Sequence, residues 1–393
     1  MSDIRIPLMR STFFDEIQTR EKLAEFVRTT SRLSMGEECA AFERSFAAYQ
    51  QCAYAVLVSN GSAANLGLIQ ALMNLGRLKK GDRVGVSAVT WATNVMPLMQ
   101  LGLVPVAVDC STDHLNVSSE ILQKHMKDLK AMFLTNVLGF CGDIDAVRDL
   151  CAEHNVLLIE DNCESLATRY KGTLLGNFGF ASTASFFVGH HLSTIEGGMI
   201  CTDDEELYHM LLMVRAHGWD RSLPADKQKA LRAKHGVSDF HARYTFYESA
   251  YNIRPTEITG FLGSLQLPML EQSIERRMHN FWRFQASVLK RPDLYYPLKI
   301  DHIERISNFA MPVIVTSVTV LEDSIRRFEA AGIEIRPIIA GDITVHPFWT
   351  KELPRTRCEG AALIHAQGFY FPNNPDLTEE EVDLLCRVLE QDT

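Results

Sequence analysis

Four short stretches of this 393-residue chain bring together residue types that can do chemistry. Asn60-Gly61-Ser62-Ala63 ends an apolar run and opens a helical one. Backbone N–H groups and a hydroxyl at such a turn, with a helix dipole behind them, suit an anion; the plainer alternative is an ordinary serine-capped helix. Trp91 follows "RVGVSAV", where its face can stack on an aromatic ligand or fill a core. Asp161 closes "VLLIED", a carboxylate that is costly to bury unless it meets a cation, or else a helix cap. Finally, "SFFVGHHLSTIEGG" carries Ser185 and the adjacent histidines His190 and His191. Neighbours on an extended segment point to opposite sides, so this pair is not expected to bind a metal ion.

In open α/β sheets ligands bind beyond the carboxyl ends of the strands, and that is where these stretches fall. A phosphate cradle, a stacking aromatic and a buried carboxylate together describe a pocket for pyridoxal phosphate (PLP). That cofactor is an anion at one end and a pyridinium at the other, with a π face between.

The elements that must position these groups are legible as short, nearly continuous apolar runs: "YAVLVS", "DRVGVSAV", "VPVAVD", "AMFLTNV", "VLLIED", "STASFFV" and "GMICTD". Amphipathic stretches such as "GDIDAVRDLCAEHN" lie between most of them, which predicts a mostly parallel, doubly wound sheet covered on both faces. The last run follows "EGG" closely and is expected to pair antiparallel. After about residue 250 the rhythm changes to long helices and a few strands, so we expect a large domain over 1–250 and a smaller α+β domain over 251–393. The polar segment 221–239 reads as a long loop or lid.

With a formal net charge of -10 and no basic cluster, a nucleic-acid or anionic-membrane role is disfavoured. No apolar run is long enough to span a bilayer, and the opening residues lack a signal-peptide core. Nine scattered cysteines, never spaced C-x-x-C, read as reduced thiols, and the expected location is the cytoplasm.

Taken in order, "MGEECAAFERSFAAY", "NGSAANL", "VTWATNVMPLMQLGLVPVAVD", "IEDNCESLATRYKGTLLGNFG", "YNIRPTEITGFLGSLQL" and "GFYFPNNPDLTEEEVDLL" resemble the DegT/DnrJ/EryC1/StrS sugar aminotransferases. These are fold-type I PLP enzymes, built like aspartate aminotransferase around a mostly parallel seven-stranded sheet. The resemblance implies that Gly61, Ser62, Ala63 and Ser185 hold the phosphate, that Trp91 stacks on the ring and that Asp161 pairs with the ring nitrogen. It also places Glu164 near the ring hydroxyl. Asn252 in "YNIR" would reach the phosphate of a second subunit, giving a homodimer with shared active sites. Arg254 and His217 would contact substrate. Arg336, in "GIEIRPI", would contact the sugar or form a structural ion pair.

The chain departs from that family at one position. The family keeps a lysine in the pattern S-F-x-x-x-K, eight residues before the second glycine of a G-G pair; here His190 stands there, eight before Gly198, and no lysine occurs between Lys171 and Lys227. Histidine cannot tether the cofactor, but it transfers protons near neutral pH. "HHLSTIEGG" resembles the His-containing 3-dehydratases of deoxysugar pathways such as that of colitose. The expected substrate is therefore a nucleotide-linked 4-keto-6-deoxy sugar, GDP-4-keto-6-deoxy-D-mannose by likeness, with L-glutamate regenerating pyridoxamine phosphate and leaving 2-oxoglutarate. The branch that adds a [2Fe-2S] cluster crowds cysteines after the segment matching "RAHGW"; here residues 219–251 contain none, so no cluster is expected. Two alternatives stay open: an aminotransferase whose lysine has been substituted, and a silent protein that kept the fold.

Overall fold

The seven apolar runs become strands of one sheet in a computed structural model that describes residues 4–391. They begin with β1 (Tyr54–Val58), β2 (Arg83–Ser87), β3 (Val104–Val108), β4 (Ala131–Thr135) and β5 (Leu157–Asp161). A two-residue-per-arm hairpin, β6 (Arg169–Tyr170) and β7 (Thr173–Leu174), precedes β8 (Ala181–Ser185) and β9 (Gly198–Thr202). The spatial order is β1-β9-β8-β5-β4-β2-β3. Pairs from β3 through β8 are parallel, and β9 runs antiparallel to both its neighbours, as the short "EGG" connection requires. Gly198 is opposite Ser185 on one side and Val58 on the other, so the second glycine of the pair joins three strand ends.

Helix Gly61–Asn74 packs against β8 and β9 through Ala64, Leu68, Ile69 and Leu72, all fully buried. A small antiparallel sheet of β10 (Tyr295–Tyr296), β11 (Ala310–Val315), β12 (Arg336–Pro337) and β13 (Gly368–Pro372) is ordered β10-β11-β13-β12. Helix Leu270–Leu289 packs on the terminal helix Glu379–Glu390, whose start is fixed by a capping box between Thr378 and Glu381.

Two features differ from the sequence reading or add to it. The expected loop over 221–239 contains a helix, Ala225–His235, ended by Gly236 in the left-handed region at φ 63°. It buries no residue, so it has no apolar periodicity to read; the helix propensity of its Ala, Lys, Gln, Leu and Arg residues, with the glycine stop, explains it. The N-terminal segment, expected within the large domain, runs along the C-terminal unit: Arg5 and Ile6 N–H donate to the Gly332 carbonyl, and Leu8 N–H to Glu334 at 2.9 Å. Among the described residues no helix is long and apolar enough to cross a membrane.

Candidate active site

At the carboxyl edge of the sheet lies a cavity of about 590 Å³. Of the sequence-derived candidates, Gly61, Ser62, Trp91, Asp161, Glu164, Ser185 and His190 line it. No lysine does.

The floor is set by β5. Consecutive strand residues face opposite ways, and its last two are both carboxylates. Glu160 points away from the cavity and accepts from the N–H groups of Gly176, Phe178 and Gly179, each at 2.8 Å, and from Asn136 Nδ2 at 3.0 Å. Asp161 lines the cavity. It accepts from Cys163 N–H at 2.8 Å, Asn94 Nδ2 at 2.7 Å and Asn65 Nδ2 at 3.1 Å. All three donors are neutral, and among the described residues no cation pairs with it.

The phosphate-sized end is built at the start of helix Gly61–Asn74. Its cap is Asn60, whose side chain accepts from Ala63 N–H at 2.7 Å. This corrects the expectation for Ala63: its N–H is committed to the cap, and it does not line the cavity. The N–H groups of Gly61 and Ser62 keep no partner among the described residues, so two of the three expected anion-seeking donors are free. Space is tight there by design of the backbone. A Cβ on Gly61 would lie 2.8 Å from Ser185 Cβ, and one on Gly198 would lie 2.3 Å from the Asn60 carbonyl oxygen.

Trp91 is 55% exposed in the cavity wall, which decides against its being core. Glu164 is buried; burial pushes its carboxyl up to about 8, opposed by the N–H of Leu138 at 3.1 Å and reinforced by the charge of Asp161. It is therefore an acid, able to donate a hydrogen bond near neutral pH. His190 is pushed the other way, down to about 4, by burial, with Asp161 opposing and Arg277 adding to the effect. Its imidazole is neutral at working pH. Nδ1 is buried without a partner, so Nε2 is the nitrogen left to exchange a proton.

His191 separates cleanly from its neighbour. It is buried, and its Nε2 donates to the Ser307 carbonyl at 3.0 Å. Asn252, Arg254 and His217 do not line the cavity of their own chain. Asn252 and Arg254 are exposed, joined by Arg254 Nε to Asn252 Oδ1 at 2.8 Å, and the intervening Ile253 carbonyl accepts from Ser59 N–H, one residue before the cap. His217 adopts a left-handed φ of 61°, with its N–H donating to Tyr251. Arg336 lines the cavity and also forms the ion pair expected of it, with Glu334 at 2.6 Å. Leu8, Met9, Asn65, Phe309 and Tyr370 complete the walls and were not singled out in the sequence.

These residues fit PLP on their own evidence. One end offers unpaired N–H groups in a cradle that a Cβ would fill, the middle offers an open indole, and the far end offers a carboxylate with no cation against it. Fold and cavity together define a protein of the PLP-dependent aminotransferase fold. The chain belongs to the DegT/DnrJ/EryC1/StrS aminotransferase family, whose model matches residues 15–390. It is 34% identical to a GDP-4-keto-6-deoxy-D-mannose 3-dehydratase of Escherichia coli O55:H7, over 98% of this chain and 100% of that protein. The structure of the E. coli GDP-4-keto-6-deoxy-D-mannose-3-dehydratase with bound hydrated PLP superimposes with a TM-score of 0.90 at 33% identity, covering 98% of this chain and 99% of the other. A GDP-4-keto-6-deoxymannose-3-dehydratase with a trapped PLP-glutamate geminal diamine gives 0.89 at 33% identity, covering 98% and 100%.

Proposed function

We propose that this chain is a PLP-dependent sugar 3-dehydratase that removes the C3 hydroxyl of a nucleotide-linked 4-keto-6-deoxy sugar, with L-glutamate as amino donor. The substrate is GDP-4-keto-6-deoxy-D-mannose, the compound in its relatives' name. The observation that carries this reading is His190, facing an otherwise complete cofactor pocket that no lysine lines.

When bound in its amine form, the cofactor would supply the electron sink that lets the C3 hydroxyl leave. Gly61, Ser62 and Ser185 would hold its phosphate, Trp91 would stack on its ring, and Asp161 would meet its ring nitrogen. Glu164, its carboxyl pushed up to about 8 by burial, would face the ring hydroxyl as a hydrogen-bond donor. Neutral His190 accepts a proton at Nε2 and returns it, which serves both the glutamate and the sugar half-reactions. It offers no amine to hold or exchange the cofactor covalently, so the sugar's nitrogen is surrendered to water. In the overall balance the sugar loses one oxygen, glutamate becomes 2-oxoglutarate and the nitrogen leaves as ammonia.

The reading includes a homodimer in which Asn252 reaches the partner's phosphate site and Arg254 and His217 reach its substrate. The exposure of Asn252 and Arg254 outside their own cavity supports it. A division into domains near residue 250, with the N-terminal segment laid along the C-terminal part, a cytoplasmic location and independence from an iron–sulfur cluster belong to the same reading. The test is incubation of purified protein, PLP and L-glutamate with GDP-4-keto-6-deoxy-D-mannose. The 3-deoxy sugar by mass and free ammonia should appear together; consumption of neither sugar nor glutamate refutes it.

A further inference from the structure

The side chain on which this chemistry turns has no hydrogen bond of its own. His190 Nδ1 is buried and unpartnered. The rings of Phe187 and Phe309 lie against the imidazole at centroid distances of 5.6 and 5.2 Å. Such ring contacts fix an orientation less narrowly than a hydrogen bond does. Gly189, immediately before it, adds no side chain to stiffen the backbone.

The segment is held instead from helix Leu270–Leu289. Arg277 on that helix is buried, and its two terminal nitrogens donate to the carbonyl oxygens of His190 at 3.1 Å and His191 at 3.4 Å. The Arg277 carbonyl in turn accepts from Asn373 Nδ2 at 3.1 Å. Among the described residues no carboxylate forms an ion pair with this guanidinium; Asp376 acts on it only at longer range. Burying an arginine without a counter-charge costs stability, and here the burial produces one thing, a clamp on two successive peptide carbonyls.

We infer that Arg277 is a positioning residue for His190, setting through those two carbonyls the direction in which the imidazole enters the pocket. The inference rests on the reading of His190 as the proton-transfer group. The clamp borders a second cavity of about 40 Å³, walled on its far side by Leu8–Phe14. A shorter side chain at position 277 would thus leave room for water beside the two carbonyls in place of the guanidinium. The charge matters as well as the geometry. Asp161 favours a proton on His190 and Arg277 disfavours one; His191, behind the ring, is held neutral by burial and by Arg277, while Glu164, Glu196 and Arg336 share the main cavity.

The test compares full-length Arg277→Lys and Arg277→Gln with the wild type, each loaded with PLP. Two readouts are used: the glutamate-driven change in the cofactor spectrum, and the NMR titration of the 13C-labelled His190 ring, assigned by its loss in His190→Asn. Both variants should lower kcat for the glutamate half-reaction about 10- to 100-fold while KM changes little. The Gln variant should also move the His190 midpoint up, and the Lys variant, which keeps the charge, should not. A folded variant of either kind with wild-type kcat overturns the inference, as does a loss confined to KM. If Gln does not fold, the kcat of Lys decides. If the wild type itself shows no glutamate-driven change, the proposed reaction fails, and the ring signal then decides on the clamp: a His190 resonance unaltered in both variants overturns it.

Discussion

Gly198 passes so close to Asn60 that a methyl group on its Cα would sit 2.3 Å from the Asn60 carbonyl oxygen and 2.8 Å from Gly61 N. The start of β9 is thus pressed against the cap of the helix whose first N–H groups are proposed to hold the cofactor phosphate. Gly198→Ala must push that cap away. We expect a stability loss of about 1–3 kcal/mol, read as a lowered urea midpoint, and PLP binding weakened by about tenfold or more. A variant that unfolds and binds PLP like the wild type would show that the close approach does not matter.

His190→Lys restores an amine at the one position from which the family tethers its cofactor. The expected result is a covalent link to PLP, seen by absorbance and by mass after borohydride reduction, with dehydration lowered at least about 100-fold. Unchanged dehydration would refute the role given to His190.

Two perturbed groups of the pocket, Glu164 and His190, give stability opposite pH dependences. Glu164 titrates near 8 in the folded chain against an ordinary 4.5, so above 4.5 the unfolded chain has lost a proton that the folded chain retains. Its contribution therefore falls as pH rises from 4.5 to about 8. His190 titrates near 4 against 6.5, so its contribution falls as pH drops from 6.5 to about 4. In the cofactor-free protein, Glu164→Gln should flatten the decline in urea midpoint between pH 6.5 and 8, and His190→Asn the decline below 6.5. An unaltered profile in the Glu164→Gln variant would mean that the carboxyl is ionised in the folded state.

The proposed sharing of active sites between two copies makes a complementation prediction. A chain carrying His190→Asn and a chain carrying Asn252→Ala are each impaired as homodimers. Unfolded together and refolded at equal ratio, they should form mixed dimers in which about one site in four of the whole population is intact. Recovered activity near that fraction supports the arrangement, and recovery no greater than the sum of the two separate variants counts against it.

Much of the site was legible because its parts carry strong local signals. Asp161 ends an apolar strand, Ser185 ends another, and His190 stands at a fixed offset from a glycine pair. The supporting residues carry no such mark. Asn65 and Asn94 are neutral amides on a helix and a short turn, and their purpose is visible only when the fold brings them to Asp161. Arg277 reads as one more polar position on an amphipathic helix until its guanidinium is found against the backbone of residues 87 and 86 positions earlier. Ala63 was misassigned because a turn sequence does not say which donor its cap consumes. The pocket of a single chain could not contain Asn252, Arg254 or His217 if, as proposed, they serve a second copy.

The two carboxylates that end β5 occupy adjacent residues and opposite faces. Glu160 is spent on three backbone N–H donors of the loop at residues 176–179 and on Asn136 Nδ2, while Asp161 is left for the pocket. Architecture and chemistry are therefore separated by a single peptide bond. A one-residue slip of this strand would exchange them, aiming the anchor into the cavity and the reactive charge into the scaffold, so one register serves both as the folding check and as the licence for activity.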